Sequence, residues 1–91
     1  MKIDGSLLVE NPADAGPMAQ QLESQGFDGG FTYEGRHDPF FPLCVAAQQT
    51  QQLELITAIA IAFARNPMTL ANTAYDLQLL SEGRFILGLG S

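Results

Sequence analysis

The sequence predicts an α/β protein in which four strands alternate with three helices, in the order β-α-β-α-β-α-β. Short apolar runs alternate along its 91 residues with stretches of helical periodicity. The apolar run from Leu55 to Phe63 is typical of a strand buried on both faces of a parallel sheet. Strands separated by helices pair in parallel through right-handed crossovers, so we expect sequential strand order and all helices on one face. The strands are expected near residues 2–9, 27–33, 54–62 and 84–89.

The three helices are predicted from apolar periodicity and from residues that begin or end a helix. The first covers residues 13–25, and Gly26 follows it at a position where a left-handed residue needs no Cβ. The second covers about 42–52 and begins at one of the two prolines near its start. Asn66 is the predicted N-cap of the third helix, which ends near Glu82.

The composition excludes several classes of partner. Ten acidic and four basic residues give a net charge of −6, and a pI near 4.3 argues against a nucleic-acid footprint, which needs clustered Lys and Arg. The basic residues are scattered, and no apolar run is long enough to span a bilayer, so we expect no membrane partner. No secretory signal is visible, which favours a cytoplasmic protein. The single cysteine, Cys44, excludes an internal disulfide; we expect it to be a buried inert thiol, and we expect no metal site.

Two architectures fit this order of elements: an open doubly wound sheet and part of a (β/α)8 TIM barrel. A dinucleotide-binding doubly wound sheet needs a glycine turn after its first strand, where this chain has Glu10-Asn11-Pro12. Gly88-Leu89-Gly90 is a weak signal for such a turn because no third glycine follows. The sequence therefore favours about half of a barrel, formed by residues 1–91 without an internal boundary.

Candidate chemistry lies at the carboxyl ends of the predicted strands, where both architectures bind ligands. The only histidine, His37, follows the second strand together with Glu34, and the two side chains are suited to acid–base work or to hydrogen-bonding a cofactor. Alternatively, His37 caps the next helix or is solvated in a loop. In the third strand, the small and β-branched residues Thr57, Ala58 and Ile59 allow a flat ligand to approach, although packing under a helix explains them equally well.

Three stretches of the sequence, and one longer stretch at its end, resemble a known family. The three are Phe27-Asp28-Gly29-Gly30, Arg36-His37-Asp38-Pro39-Phe40 and the run TAIAIAFARNP from Thr57 to Pro67. The most specific is the ending from Ser81 to Gly90, which reads S-x-G-R-F-x-L-G-L-G. In order and spacing they resemble the amino-terminal part of the luciferase-like flavin and deazaflavin oxidoreductases, most of all the branch that uses coenzyme F420.

The resemblance implies a (β/α)8 barrel and an oxidoreductase that uses reduced FMN or reduced F420 for hydride transfer or monooxygenation of a small organic substrate. It also implies a non-proline cis peptide at Ala58-Ile59, behind the central ring of the cofactor. Thr32, Glu34 and His37 are then expected near the ring or the substrate. Glu34 and His37 are the predicted catalytic residues, and the predicted cofactor-binding residues are Thr32, Thr57, Ala58 and Ile59.

The phosphate-binding elements of that family lie in the later part of the barrel. We therefore expect the cofactor site of this chain to be incomplete, and the chain alone to be inactive as an enzyme, unless copies cooperate. A half-barrel leaves its first and fourth strands as open edges, and such edges favour association. We accordingly expect a homo-oligomer, most simply a dimer, or a complementary half-barrel as partner. The alternative function is a catalytically inactive, self-associating α/β module without cofactor.

Overall fold

A computed structural model describes all residues from Met1 to Ser91. The four strands are parallel and lie side by side in the order β1-β2-β3-β4, as the sequence predicts. The strands and helices are β1 Asp4–Ser6, α1 Ala15–Ser24, β2 Gly29–Thr32, α2 Phe40–Gln49, β3 Glu54–Ile61, α3 Pro67–Leu80 and β4 Phe85–Gly90. Short 3-10 turns at Pro12–Asp14 and Ala62–Ala64 follow β1 and β3. This is the alternation of half of a (β/α)8 barrel.

The first two strands are shorter than predicted. β1 pairs only with β2, and the four-residue β2 offers it a short ladder, in which Asp4–Ser6 pair with Gly29–Phe31. Phe27 was expected in β2, but its amide donates to the Leu22 carbonyl at 3.0 Å and completes the end of α1. Gly26 there has φ of +87°, which confirms the predicted left-handed position. No helix in the chain has the length and apolar character required to cross a bilayer.

All three helices cover one face of the sheet. Gly30, Leu55 and Phe85 lie side by side on the three strands β2, β3 and β4, and all three are buried. Residues from each helix pack against this face and form the core with it: Ala19 of α1, Leu43, Ala46 and Ala47 of α2, and Leu77 of α3. The core is therefore a single layer between helices and sheet.

The opposite face of the sheet has no helix against it. Here the register aligns Ser6, Phe31, Ile56 and Ile86 across the four strands. Ser6 and Ile86 are exposed, Ile86 by 43%, and the other two side chains are only partly buried. We call this row the open face. Apolar rows of this kind are normally covered in a barrel by the strands opposite.

Two charged side chains fix the connection between α2 and β3 from opposite sides. The Glu23 carboxylate accepts hydrogen bonds from the amides of Gln51, Gln52 and Leu53, the closest at 2.6 Å. Arg84 donates to the carbonyls of Ala47, Thr50, Leu53 and Ser81 and to the Thr50 hydroxyl, at 2.7–3.2 Å. Since Ala47 and Thr50 end α2, the guanidinium also lies where the helix dipole favours a cation. In this one loop, the amides thus bind a negative side chain and the carbonyls bind a positive one.

Replacing Glu23 with Gln is expected to lower the free energy of unfolding by about 1–2 kcal/mol at pH 7, because a charged acceptor for three amides is lost. Burial alone raises the pKa of Glu23, but the three amides outweigh it and hold the pKa below its ordinary value of 4.5. A depressed pKa means that this stabilisation is present above pH 4.5 and is lost as the pH falls through the folded-state pKa.

Urea unfolding of the native chain and of Glu23→Gln, followed from neutral pH to below pH 4.5, measures this difference. The two curves should converge as the pH falls. Glu82→Gln is the matched control, because Glu82 is exposed at the end of α3 and its side chain has no hydrogen bond. A difference between Glu23→Gln and the native chain that stays constant with pH would contradict the role assigned to the carboxylate.

Candidate active site

The parallel sheet brings the residues that follow β1, β2 and β3 to one edge. We call this edge the mouth; it comprises residues 7–10 after β1, 33–38 after β2 and 62–65 after β3. The predicted residues Glu34 and His37 both lie here, as expected for the carboxyl end of β2. Arg65 reaches the mouth from the segment after β3, and Glu10 from the segment after β1.

Glu34 is held by β3 through three contacts. One carboxylate oxygen accepts from the Ile61 amide at 2.7 Å, and the other forms an ion pair with the Arg65 guanidinium. The Glu34 amide donates to the Ile59 carbonyl at 2.9 Å. The two side chains of the ion pair are only 20% and 22% exposed, so water screens the pair little. Glu34 is therefore a fixed acceptor between β2 and β3.

Arg65 also contacts the start of α2. Its guanidinium carbon lies 4.8 Å from the centre of the Phe40 ring, within the range of a cation–π contact. Nη2 lies 3.9 Å from an oxygen of Asp38, whose other oxygen accepts from the amides of Phe40 and Phe41 at 2.7 Å. The Arg65 Nε atom is buried and has no hydrogen-bond partner. Arg65 thus joins the ends of β2 and β3 to the first turn of α2.

His37 and Glu34 take separate partners. The His37 Nε2 atom lies 3.3 Å from a carboxylate oxygen of Glu10, across the mouth from β1. The His37 side chain is 51% exposed, and it does not cap α2, since the Asp38 carboxylate accepts from the first two amides of that helix. Of the alternatives that the sequence left open, the cap at α2 is the wrong one for His37. A role of Glu34 and His37 in catalysis stays a prediction.

The hydroxyl groups of the two predicted threonines are used inside the protein. Thr32 is buried and donates to the Pro39 carbonyl at 2.7 Å, which joins β2 to the start of α2. Thr57 is fully buried, and its hydroxyl both donates to the carbonyl and accepts from the amide of Gly88 at 2.9 Å. Both residues thus fix strands that reach the mouth, and direct contact of either with a cofactor stays a prediction.

The register of β3 against β4 is interrupted between Thr57 and Ala60, and the two residues between them are exposed. The Ala58-Ile59 peptide bond is cis, as the family resemblance implies. Gly88 lies opposite, and a Cβ there would collide with the Thr57 carbonyl oxygen. Gly88 therefore leaves space for the irregular part of β3. This gives the Gly88-Leu89-Gly90 stretch a structural role that the sequence alone did not indicate.

A cavity of about 370 Å³ opens between the segments after β1 and β2. Buried Leu7, Thr32 and Pro42 lie at its base, whereas the exposed residues on its rim include Glu10, Arg36 and His37. Its other lining residues are Leu8, Val9, Tyr33, Gly35 and Asp38. The walls are mostly apolar and the rim is charged, which is the common pattern of small-molecule sites.

Cys44 and the acidic residues add no further chemistry to the mouth. Burial raises the pKa of the Cys44 thiol, and Asp38 and Asp76 raise it further, so the thiolate nucleophile is disfavoured. No group of three His, Cys, Asp or Glu side chains is arranged to hold a metal ion. Sequence reasoning gave no role to Glu10, Arg65 or Asp38. Glu10 and Arg65 act through contacts between separate strand ends, which spacing along the chain does not encode. Asp38 accepts from amides two and three residues ahead, a local capping pattern that the sequence does carry.

The family model for the luciferase-like monooxygenases matches residues 2–91, and the chain belongs to this family. An uncharacterized protein of Mycobacterium tuberculosis is 56% identical over all 91 residues, which are 26% of that protein. A 5,10-methylenetetrahydromethanopterin reductase of Methanolobus tindarius is 34% identical over 74 residues, which are 79% of this chain and 23% of that protein. The chain thus spans about a quarter of the length of these relatives.

Solved structures share the fold. The coenzyme F420-dependent tetrahydromethanopterin reductase of Methanopyrus kandleri superposes on 98% of the chain and 26% of its own length, with a TM-score of 0.88 and 24% identity. A type II Baeyer–Villiger monooxygenase of Pseudomonas putida, solved in complex with FMN, superposes on 99% of the chain and 29% of its own length, with a TM-score of 0.87 and 22% identity. These likenesses confirm that the four strands and three helices are arranged as in part of such proteins.

Proposed function

We propose that this chain forms part of the cofactor-facing site of an oxidoreductase that uses reduced FMN or reduced coenzyme F420. The observation that carries the proposal is the exposed apolar surface of Ala58 and Ile59 in β3, next to the mouth, which we call the ring surface. It lies directly beside Glu34, whose amide donates to the Ile59 carbonyl. Membership of the luciferase-like monooxygenase family supports the same reading.

The ring surface has the properties that a flat tricyclic cofactor needs. Ala58 is small and exposed, so a ring can come close to the backbone of β3. Ile59 is 40% exposed and offers an apolar contact. The ring surface offers little to a phosphate group, because Arg65, the cation of the segment that follows β3, already pairs with Glu34. These residues therefore fit the ring of the cofactor better than its tail.

When bound, the reduced ring supplies a hydride or reacts with oxygen, and the chain positions it and controls protons and water around it. Glu34 and Arg65 hold the carboxyl end of β3, and with it the ring surface, in a fixed place beside β2. His37 lies at the rim with its Nε2 atom 3.3 Å from a Glu10 carboxylate oxygen, in a position to hydrogen-bond a bound group or to serve as a general acid or base. A small organic substrate is then bound next to the ring, in the cavity between the segments that follow β1 and β2.

Titration of FMN with the purified chain, followed by quenching of the flavin fluorescence, tests this proposal. Replacing Ile59 with Ser removes most of the apolar contact and is expected to weaken binding about tenfold. Ile3→Ser is the matched control, because Ile3 is also exposed but precedes β1 at the opposite edge of the sheet. Equal affinity of both variants, or binding of neither FMN nor coenzyme F420 in parallel titrations of the native chain, would contradict the proposal.

The open face favours a second candidate function, a self-associating α/β module. Phe31, Ile56 and Ile86 expose apolar surface there, and β1 and β4 each have one unpaired edge. A second copy would bring four more parallel strands, and eight is the number that closes a filled barrel. We propose that a second copy, or a complementary half-barrel, covers the open face and buries at least about 1,000 Å² in total.

Light scattering of the purified chain over a wide range of concentration measures this association. We expect a dimer, and we expect Ile86→Lys to shift it towards monomer because a charge cannot be buried in the covered face. Ile3→Lys, at an exposed position outside the four strands, is expected to leave the dimer intact. A native chain that remains monomeric at every concentration would contradict self-association. A dimer that does not quench FMN fluorescence would favour the module without cofactor.

A further inference from the structure

The cavity between the segments after β1 and β2 is lined by a loop whose backbone donors are free. This loop, Gly35–Asp38, is called the donor loop below. None of its four amides donates a hydrogen bond to any acceptor in the chain. Gly35, Arg36, His37 and Asp38 all line the cavity. Runs of successive free amides in a loop are a recurring way to bind anions.

Arg36, in the middle of the donor loop, is the only Lys or Arg side chain that has neither an ion pair nor a hydrogen bond within the chain. Lys2 pairs with Glu54, Arg65 pairs with Glu34, and Arg84 is saturated by carbonyls and a hydroxyl. The guanidinium of Arg36 forms no ion pair, and its side chain lies exposed at the cavity rim. Its five N–H donors are arranged for bidentate binding of a carboxylate or phosphate.

The two acidic side chains that line the cavity already have partners within the chain. Glu10 faces His37 at 3.3 Å. Asp38 accepts from the first two amides of α2, and its other oxygen faces Arg65 at 3.9 Å. The Thr32 hydroxyl donates to the Pro39 carbonyl. The side chains of the cavity that are left without a partner are therefore the Arg36 guanidinium and the exposed Tyr33 hydroxyl, and the donor-loop amides line the same cavity.

The remaining walls of the cavity are apolar, with Leu7, Leu8, Val9 and Pro42 beside the Tyr33 ring. A free inorganic ion gains nothing from such walls, whereas an organic anion buries its apolar body against them. We infer that this cavity binds the acidic group of a small organic anion, a carboxylate or a phosphate monoester, through Arg36 and the donor loop. The inference rests on the proposed function in one respect only: it assigns an acidic substrate to the oxidoreductase.

Titration of the ¹⁵N-labelled chain with benzoate, in the absence of any flavin, tests the inference by NMR. We expect the amide signals of Gly35–Asp38 to shift on binding, and we expect benzyl alcohol, which has the same ring without the charge, to bind about tenfold more weakly. Phenyl phosphate should behave like benzoate. Inorganic phosphate should bind about tenfold more weakly than phenyl phosphate, because it lacks the apolar body.

Arg36→Gln is the informative variant, because the side chain is exposed and supports no contact of the fold. It is expected to weaken benzoate binding about tenfold, whereas Lys2→Gln, which removes a charge at the opposite edge of the sheet, is expected to leave it unchanged. The inference is overturned if benzyl alcohol binds as well as benzoate, if Arg36→Gln has no effect, or if benzoate shifts no amide of the donor loop. Because no flavin is present, these outcomes are independent of FMN binding at the ring surface.

Discussion

The ion pair between Arg65 and Glu34 connects the segments that follow β3 and β2, which are distant in the sequence and meet at the mouth. Glu34 follows β2 and also accepts from the amide that ends β3, and Arg65 continues from it to the ring of Phe40 at the start of α2. Mostly buried charges of this kind are costly to separate, because each would be left without a partner in a poorly solvated place. The ring surface and the cavity rim both adjoin the segments that this pair holds.

At the opposite edge of the sheet, charged side chains likewise fix the loop that leads into β3. Glu23 and Arg84 satisfy the amides and carbonyls of one loop between α2 and β3, so the central strand enters the sheet in a defined place. Arg84, the arginine in the family-like stretch that ends at Gly90, is therefore a structural residue. Charged groups thus fix both edges of the sheet, and between them the core is apolar.

The fold was largely predictable, because it depends on local patterns. Apolar periodicity predicted the sequential parallel strands, and Asn66 is the N-cap that its position indicates, accepting from Met68 at 2.8 Å. For the mouth, the sequence predicted where the site lies but not which side chains pair there. His37 and Glu34 are near each other in sequence, but each finds its partner across the mouth, in Glu10 and Arg65. Such pairings depend on which strand ends are neighbours and on side-chain direction, neither of which residue spacing encodes.

The most direct test of this account is a double-mutant cycle on Arg65 and Glu34, using urea unfolding of Arg65→Met, Glu34→Gln and the double variant. We predict a coupling of about 1–3 kcal/mol, as expected for side chains in contact within one network. The same cycle on Lys2 and Glu54, an ion pair in which Lys2 is 67% exposed, should give a clearly smaller coupling, because water and salt screen an exposed pair. Effects of Arg65→Met and Glu34→Gln that add within about 0.5 kcal/mol would contradict the claim that this pair holds the mouth together.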